Sequence, residues 1–190
     1  MQSYSRMKSN INLCVMPECY LDTNLVETIV PPERIGSTRG YNHKHSCNKV
    51  VDEMLDKLND NFALGIVDQD RRPLSRTKEF ELIADKNGLK LYKHHKKHHY
   101  LIFHPPLEQW ILNEAQQVDI ALNNPRYNLP TTLKELVDIK SESSKHDYRF
   151  TLLFQELKSK NAIGINLLAK WIEYLKANPY NADKTTLQNL

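Results

Sequence analysis

Residues 62–70, Phe-Ala-Leu-Gly-Ile-Val-Asp-Gln-Asp, place the strongest limit on what this chain can fold into. The run is short and nearly all apolar, bounded by Asn-Asp-Asn before and Arg-Arg-Pro after. That pattern fits a strand buried on both faces, as in parallel sheets covered by helices. In such sheets ligands sit just past the carboxyl ends of the strands. Asp68 and Asp70 stand there, and two carboxylates at a strand tip can share a divalent cation. Asp also punctuates strand ends as a simple turn former, so the D-x-D gains chemical meaning only from a second acid of matching geometry.

Such an acid lies upstream. Ile11 to Met16 reads as a first buried strand stopped by Pro17, with Glu18 at its tip. Tyr20 to Val30 has Leu21, Leu25, Val26 and Ile29 at helical spacing, and Pro31-Pro32 ends it. Residues 33–45 are loop material. Ser46 to about Asn59 is a second helix, with Ser46 as N-cap and Val50, Val51, Met54, Leu55 and Leu58 as its buried stripe. Strand, helix, helix, strand implies a right-handed crossover and parallel pairing of the two strands. Glu18 and Asp68 then share one edge of the sheet.

Downstream, Glu79 to Ala84 and Leu89 to Tyr92 read as a hairpin around Asp85-Lys86-Asn87-Gly88. Tyr100 to Phe103 is a further strand. Pro105-Pro106 opens a helix to about Asn123, with Trp110 in its inward stripe. The last third reads as helices over Thr131–Ile139, Tyr148–Lys160 and Ile163–Lys176, followed by a polar tail. The expected architecture is an α/β domain over 1–123, a mostly parallel Rossmann-like sheet flanked by helices, with a C-terminal helical extension over 124–190 packed on it.

Composition fits this reading. The 190 residues are 40% hydrophobic and 26% charged, ordinary for a globular chain with a substantial core. No apolar run approaches the about 20 residues that cross a membrane, and the first residues are too polar for a secretory signal. Three cysteines (Cys14, Cys19, Cys47) argue against a disulfide framework and for a reducing cytoplasm. The net charge of +3 permits nucleic-acid contact without demanding it.

Two motifs carry a family resemblance: Met-Pro-Glu-Cys-Tyr-Leu-Asp at 16–22 and Gly-Ile-Val-Asp-Gln-Asp at 65–70. Their order resembles the TOPRIM domain of primases, topoisomerases and OLD-type nucleases, which has a Glu after its first strand and a D-x-D after a later one. The likeness is nearer to the small TOPRIM relatives of OLD nucleases in bacterial anti-phage systems. There the acidic strand reads like F-G-I-x-D-x-D and a later helix opens with an E-N-Y-L-like stretch, here Leu107-Glu108-Gln109-Trp110-Ile111-Leu112. The resemblance covers roughly residues 11–112. Relatives commonly have E-G in the first motif, whereas Cys19 follows Glu18 here.

What the resemblance implies is a Mg2+-dependent nuclease cutting DNA or RNA, with Mn2+ as a substitute ion. Glu18 becomes metal ligand or general base, Asp68 and Asp70 the metal-binding pair, and Glu108 a further acidic member. A Glu in the first turn of a helix is also favourable to the helix dipole alone. Asp22, one turn after Glu18, can share the same rim or simply start its helix. The lysine sometimes seen in OLD-type sites has no clear counterpart; Lys86 and Lys90 are the candidates. The anti-phage relatives imply control by a separate ATPase sensor, since the chain has no Walker A motif, and leave room for a homodimer.

Basic residues fall in two places. Arg71, Arg72, Arg76 and Lys78 follow the D-x-D and are placed to hold phosphate. Lys93, Lys96 and Lys97 sit in a His-rich run, 93–99, that reads equally as a backbone-phosphate contact or as a solvated hairpin edge, with adventitious transition-metal binding by its histidines a third reading. His43, His45 and Cys47, with Cys19, lack the regular paired spacing of a zinc site. Two rival readings remain: a non-catalytic α/β binding or inhibitory module that docks on a protein partner, and a phosphoryl-transfer enzyme consuming a nucleotide.

Overall fold

The computed structural model describes residues 11–34, 40–69 and 76–190. Its centre is a five-stranded sheet built from β1 (Val15–Pro17), β2 (Ala63–Asp68), β3 (Phe80–Lys86), β4 (Leu89–His94) and β5 (His99–His104), in the spatial order β1-β2-β5-β4-β3. β1 and β5 both run parallel to β2, in the registers Pro17↔Ile66 and Asp68↔His104. The β3–β4 hairpin joins β5 antiparallel, so the sheet is mixed rather than mostly parallel. Asn87 and Gly88 both take positive φ (51° and 79°), as a two-residue turn matched to strand twist requires.

β1 is shorter than the sequence implies. Ile11–Cys14 forms a 3-10 turn and only Val15–Pro17 pairs. Pro17 does not stop the strand but closes it. Having no N–H, proline is tolerated on an edge strand, where its carbonyl still accepts from Lys44 N at 3.0 Å.

Helices cover the sheet. α1 (Tyr20–Ile29) buries Leu21, Leu25, Val26 and Ile29, the stripe its spacing predicts. α2 (Cys47–Asp52) starts at its Ser46 cap and runs on into one widened π turn, Glu53–Lys57. α3 (Leu107–Gln117) ends earlier than the apolar pattern suggests, because Asp119 turns the chain with a positive φ of 54°. α4 (Leu133–Asp138), α5 (Tyr148–Ser159) and α6 (Ile163–Ala177) follow, and the polar tail contains a further short helix, α7 (Lys184–Asn189). α7 shields the outer strand: Gln188 Nε2 donates to Ile83 O at 2.9 Å, and Lys184 pairs with Glu81.

The apolar interior runs without a break from Val15 and Leu64 to Phe154 and Trp171, across both parts of the chain. Two buried polar groups tie them together. Asn24 of α1 donates to the carbonyls of Ser144 and Asp147, and its oxygen accepts from Thr151. Glu114 of α3 accepts from Trp110 Nε1 and from the Gly164 and Ile165 amides, capping α6 where Ala162 has no side chain to do so.

Gly65 sits where α2 presses on β2. A Cβ there would lie 2.6 Å from both Leu101 Cδ2 and Val50 Cγ1. Gly65→Ala is therefore expected to destabilise the fold by roughly 1–3 kcal/mol through overpacking, read as a lower urea midpoint at unchanged slope.

Candidate metal centre

The parallel registers bring three acidic or imidazole side chains, Glu18, Asp68 and His104, to one end of the sheet. Glu18 N continues the β1–β2 ladder by donating to Ile66 O at 3.0 Å. Its carboxylate then folds back across the tip of β2, where Oε2 accepts from Asp68 N at 3.0 Å and from Cys47 Sγ at 2.8 Å. Residues fifty positions apart thus meet, as the crossover reading requires. Because Asp68 pairs with His104, the tip of β5 adds an imidazole that the motifs did not suggest.

Asp22 arrives from the first turn of α1. Cys19 caps that helix: its Sγ accepts from Asp22 N at 3.3 Å while Asp22 Oδ2 accepts from Cys19 N at 2.9 Å. This reciprocal box normally uses Ser or Thr, and it gives Cys19 a structural reason to follow Glu18. The box also aims the other oxygen of Asp22 inward. Oδ1 lies 3.4 Å from His104 Nε2, and His104 Nδ1 lies 3.2 Å from Asp68 Oδ1. Nδ1 also meets Pro105 O at 2.8 Å, and Trp110 stacks on the ring.

Asp22 and His104 are fully buried, while the Asp68 side chain is 23% exposed and forms the mouth. Among the described residues these three form the group with metal-ligand geometry, with donor atoms all within 4.8 Å of one another. Asp22 Oδ1, Asp68 Oδ1 and His104 Nε2 have no hydrogen bond within the described residues. The two carboxylates meet His104 as ion pairs at its two ring nitrogens, and one donor atom of each residue lies close enough to the others to share a cation once the imidazole gives up its proton. His104 matches the habit of metal-binding histidines, one ring nitrogen held by a backbone carbonyl and the other turned to the site. The donor set therefore fits a divalent ion.

Charge in the cluster is shared. Burial pushes Asp68 up to about 6, Asp22 and Glu108 push the same way, and His104 and Lys140 oppose them. Burial likewise raises Asp22. For His104 burial opposes protonation, but the Asp22 and Asp68 carboxylates outweigh it and the net shift is upward. A raised His104 sets positive charge against the two carboxylates, and a bound cation would have to displace that proton before the imidazole could serve as a ligand.

The other expected members are placed differently. Glu108 is buried in the first turn of α3, but its Oε1 lies 2.8 Å from Lys140 Nζ and it is not part of the three-residue group. Lys140 is the lysine that reaches the carboxylates: burial opposes its charge, yet Cys19, Glu108 and Asp68 hold its ammonium above the usual range. Lys86 and Lys90 sit on the hairpin, across β5 from Asp68. Asp70, Arg71 and Arg72 lie outside the described residues. Arg76 is engaged by Asp56 at 2.8 Å and Glu79 at 2.9 Å.

Lys93, Lys96 and Lys97 sit at the opposite end of the sheet, because His99 pairs with Ala63 and His104 with Asp68. Five residues of strand separate the ends by roughly 16 Å, too far for the 93–99 run to hold the same phosphate as Asp68. Lys97 instead donates to Leu55 O and Asn59 O. His43 and His45 pack with Tyr20 rather than with a ligand set. No family model, curated protein or solved structure matches the chain.

Two outcomes follow from these charges. His104→Ala leaves two buried carboxylates without their cation and is expected to cost on the order of 3–5 kcal/mol at neutral pH. In a urea titration that loss should shrink as pH falls, because protonated carboxylates no longer repel. His99, at the far end, is fully buried; beyond a weak contact with the Asn61 backbone, its ring nitrogens find no partner among the described residues. Burial, then Lys97 and His94, lower it to about 4. The unfolded chain takes that proton first, near pH ~6.5, so stability held at neutral pH is lost between there and pH ~4. His99→Phe should flatten this acid limb in chemical melts at pH 7 and pH 5.

Proposed function

We propose that this chain is a divalent-cation-dependent nuclease of TOPRIM-like design, hydrolysing phosphodiesters of DNA or RNA at the β2–β5 tips. The observation that carries this reading is the cluster of Asp22, Asp68 and His104, with one donor atom of each within 4.8 Å of the others. Asp68, the exposed member, faces the substrate side, and Asp22 and His104 form the floor. Glu18 orients Asp68 through its backbone amide. Lys140, about one-third exposed, supplies a fixed positive charge beside Asp68 for a phosphate oxygen. Asp70 is the further carboxylate that the D-x-D motif offers.

A bound ion would neutralise the phosphate and lower the pKa of an attacking water. Two carboxylates alone suit Mg2+, and adding an imidazole shifts the preference toward Mn2+. The resemblance to anti-phage TOPRIM proteins further suggests a cytoplasmic effector controlled by a separate ATPase.

One observation favours the second reading, a non-catalytic module that docks on a protein: His104 already neutralises the acids from within, so the triad is self-sufficient as a structural ion cluster. Metal separates the two. As a nuclease, the protein should gain thermal stability with Mn2+, by about 2.7 kcal/mol at a hundredfold excess over Kd. Asp68→Asn should lose that gain. On labelled single strands and duplexes, Asp68→Ala and Glu18→Ala should lose cleavage by at least about a hundredfold. Undiminished cutting by both variants, or a melting point indifferent to Mn2+ and Mg2+, would refute the assignment.

A further inference from the structure

Beside the carboxylates lies a group of rings that the chemistry above does not use. Tyr20 opens α1, two residues after Glu18, and its ring stacks on His43 with centroids 4.1 Å apart and planes 18° from parallel. His45 stands edge-on to both, at 5.7 Å from Tyr20 and 4.8 Å from His43. His45 is exposed, and Tyr20 and His43 are half-buried. The histidines are held there because residues 42–44 run along β1, with Asn42 N donating to Val15 O and Lys44 N to Pro17 O.

The His43 ring is also held in orientation by Thr23. The Thr23 hydroxyl lies 2.8 Å from Cys19 O and 3.0 Å from His43 Nδ1. His43 Nε2 is buried and without a hydrogen-bond partner among the described residues. The same turn of chain, Cys19 to Thr23, thus holds the rings on one side and aims Asp22 at His104 on the other.

Three rings cost burial and ordering that a surface loop beside a sheet tip does not need. Aromatic and imidazole faces stack on nucleobases without regard to sequence, but only on bases that are not already stacked in a duplex. We propose that Tyr20, His43 and His45 form a stacking subsite for an unpaired nucleobase next to the carboxylates, so that the substrate is a single strand or an unpaired end. This rests on the nuclease reading and narrows its substrate class.

The test uses the full chain in EDTA, so that nothing is cut, with a short oligonucleotide carrying 2-aminopurine, whose fluorescence falls when the base stacks. Wild type should quench the single strand and not the matched duplex. His45→Ala and Tyr20→Leu should weaken single-strand binding by roughly 5- to 100-fold and remove the quench, while Tyr20→Phe, which keeps the ring, retains it. Should Tyr20→Leu fail to fold, His45→Ala, at an exposed position, decides. No quench with wild type, an unchanged quench in His45→Ala, or equal binding of duplex overturns the subsite. Asp68→Ala separates the two ideas: it should quench as wild type does while losing cleavage. A wild type that quenches but never cuts with Mn2+ overturns the nuclease reading alone, and one that cuts without quenching overturns the subsite alone.

Discussion

Two carboxylates held in dry protein within a few ångströms of each other repel strongly, and one imidazole keeps them there. Asp22 and Asp68 face His104 from its two ring nitrogens, at 3.4 and 3.2 Å. The arrangement exists only because β5 lies beside β2 in parallel, with His104 level with Asp68. A slip of one residue would swing every side chain of β5 to the other face and leave both acids without a counter-charge. Sheet register and site chemistry are therefore one constraint.

The helices serve that constraint by fixing where α1 begins. The Cys19–Asp22 box sets the first turn of α1, and Asn24, one turn further in, clamps the helix to the Ser144 and Asp147 carbonyls. Glu114 fastens α3 to the amino end of α6. These bonds are buried and multiply made, and they anchor the helix that delivers Asp22 to the fully buried floor of the site beside His104. The mouth, Asp68 with Lys140 near it, remains open to solvent.

Much of this was legible in the chain. The buried strand ending at Asp68, the helix stripes of α1 and α2 and the Asn87-Gly88 turn follow from spacing and turn chemistry alone. The meeting of Glu18 with Asp68 follows from one topological rule. The strand expected from Ile11 failed because its first four residues coil as a 3-10 turn, a choice that burial pattern does not separate from a strand. His104 went unremarked because a histidine at the end of an apolar run says nothing until its neighbour across the sheet is known. Lys140 had no signal at all, since α4 and the segment after it reach the site only by packing.

The sequence by itself therefore determined the layered α/β plan and the acids at the tips of the first two strands, because hydrophobic period and strand-tip chemistry are local properties. Only the tertiary structure decided which further groups join those acids and which basic run is excluded. Asp22, His104 and Lys140 converge there, while Lys93, Lys96 and Lys97 lie at the other end of the sheet. The physical reason is that strand order, register and helix packing are set by contacts between residues far apart in the chain, and nothing in the local pattern of either partner records them.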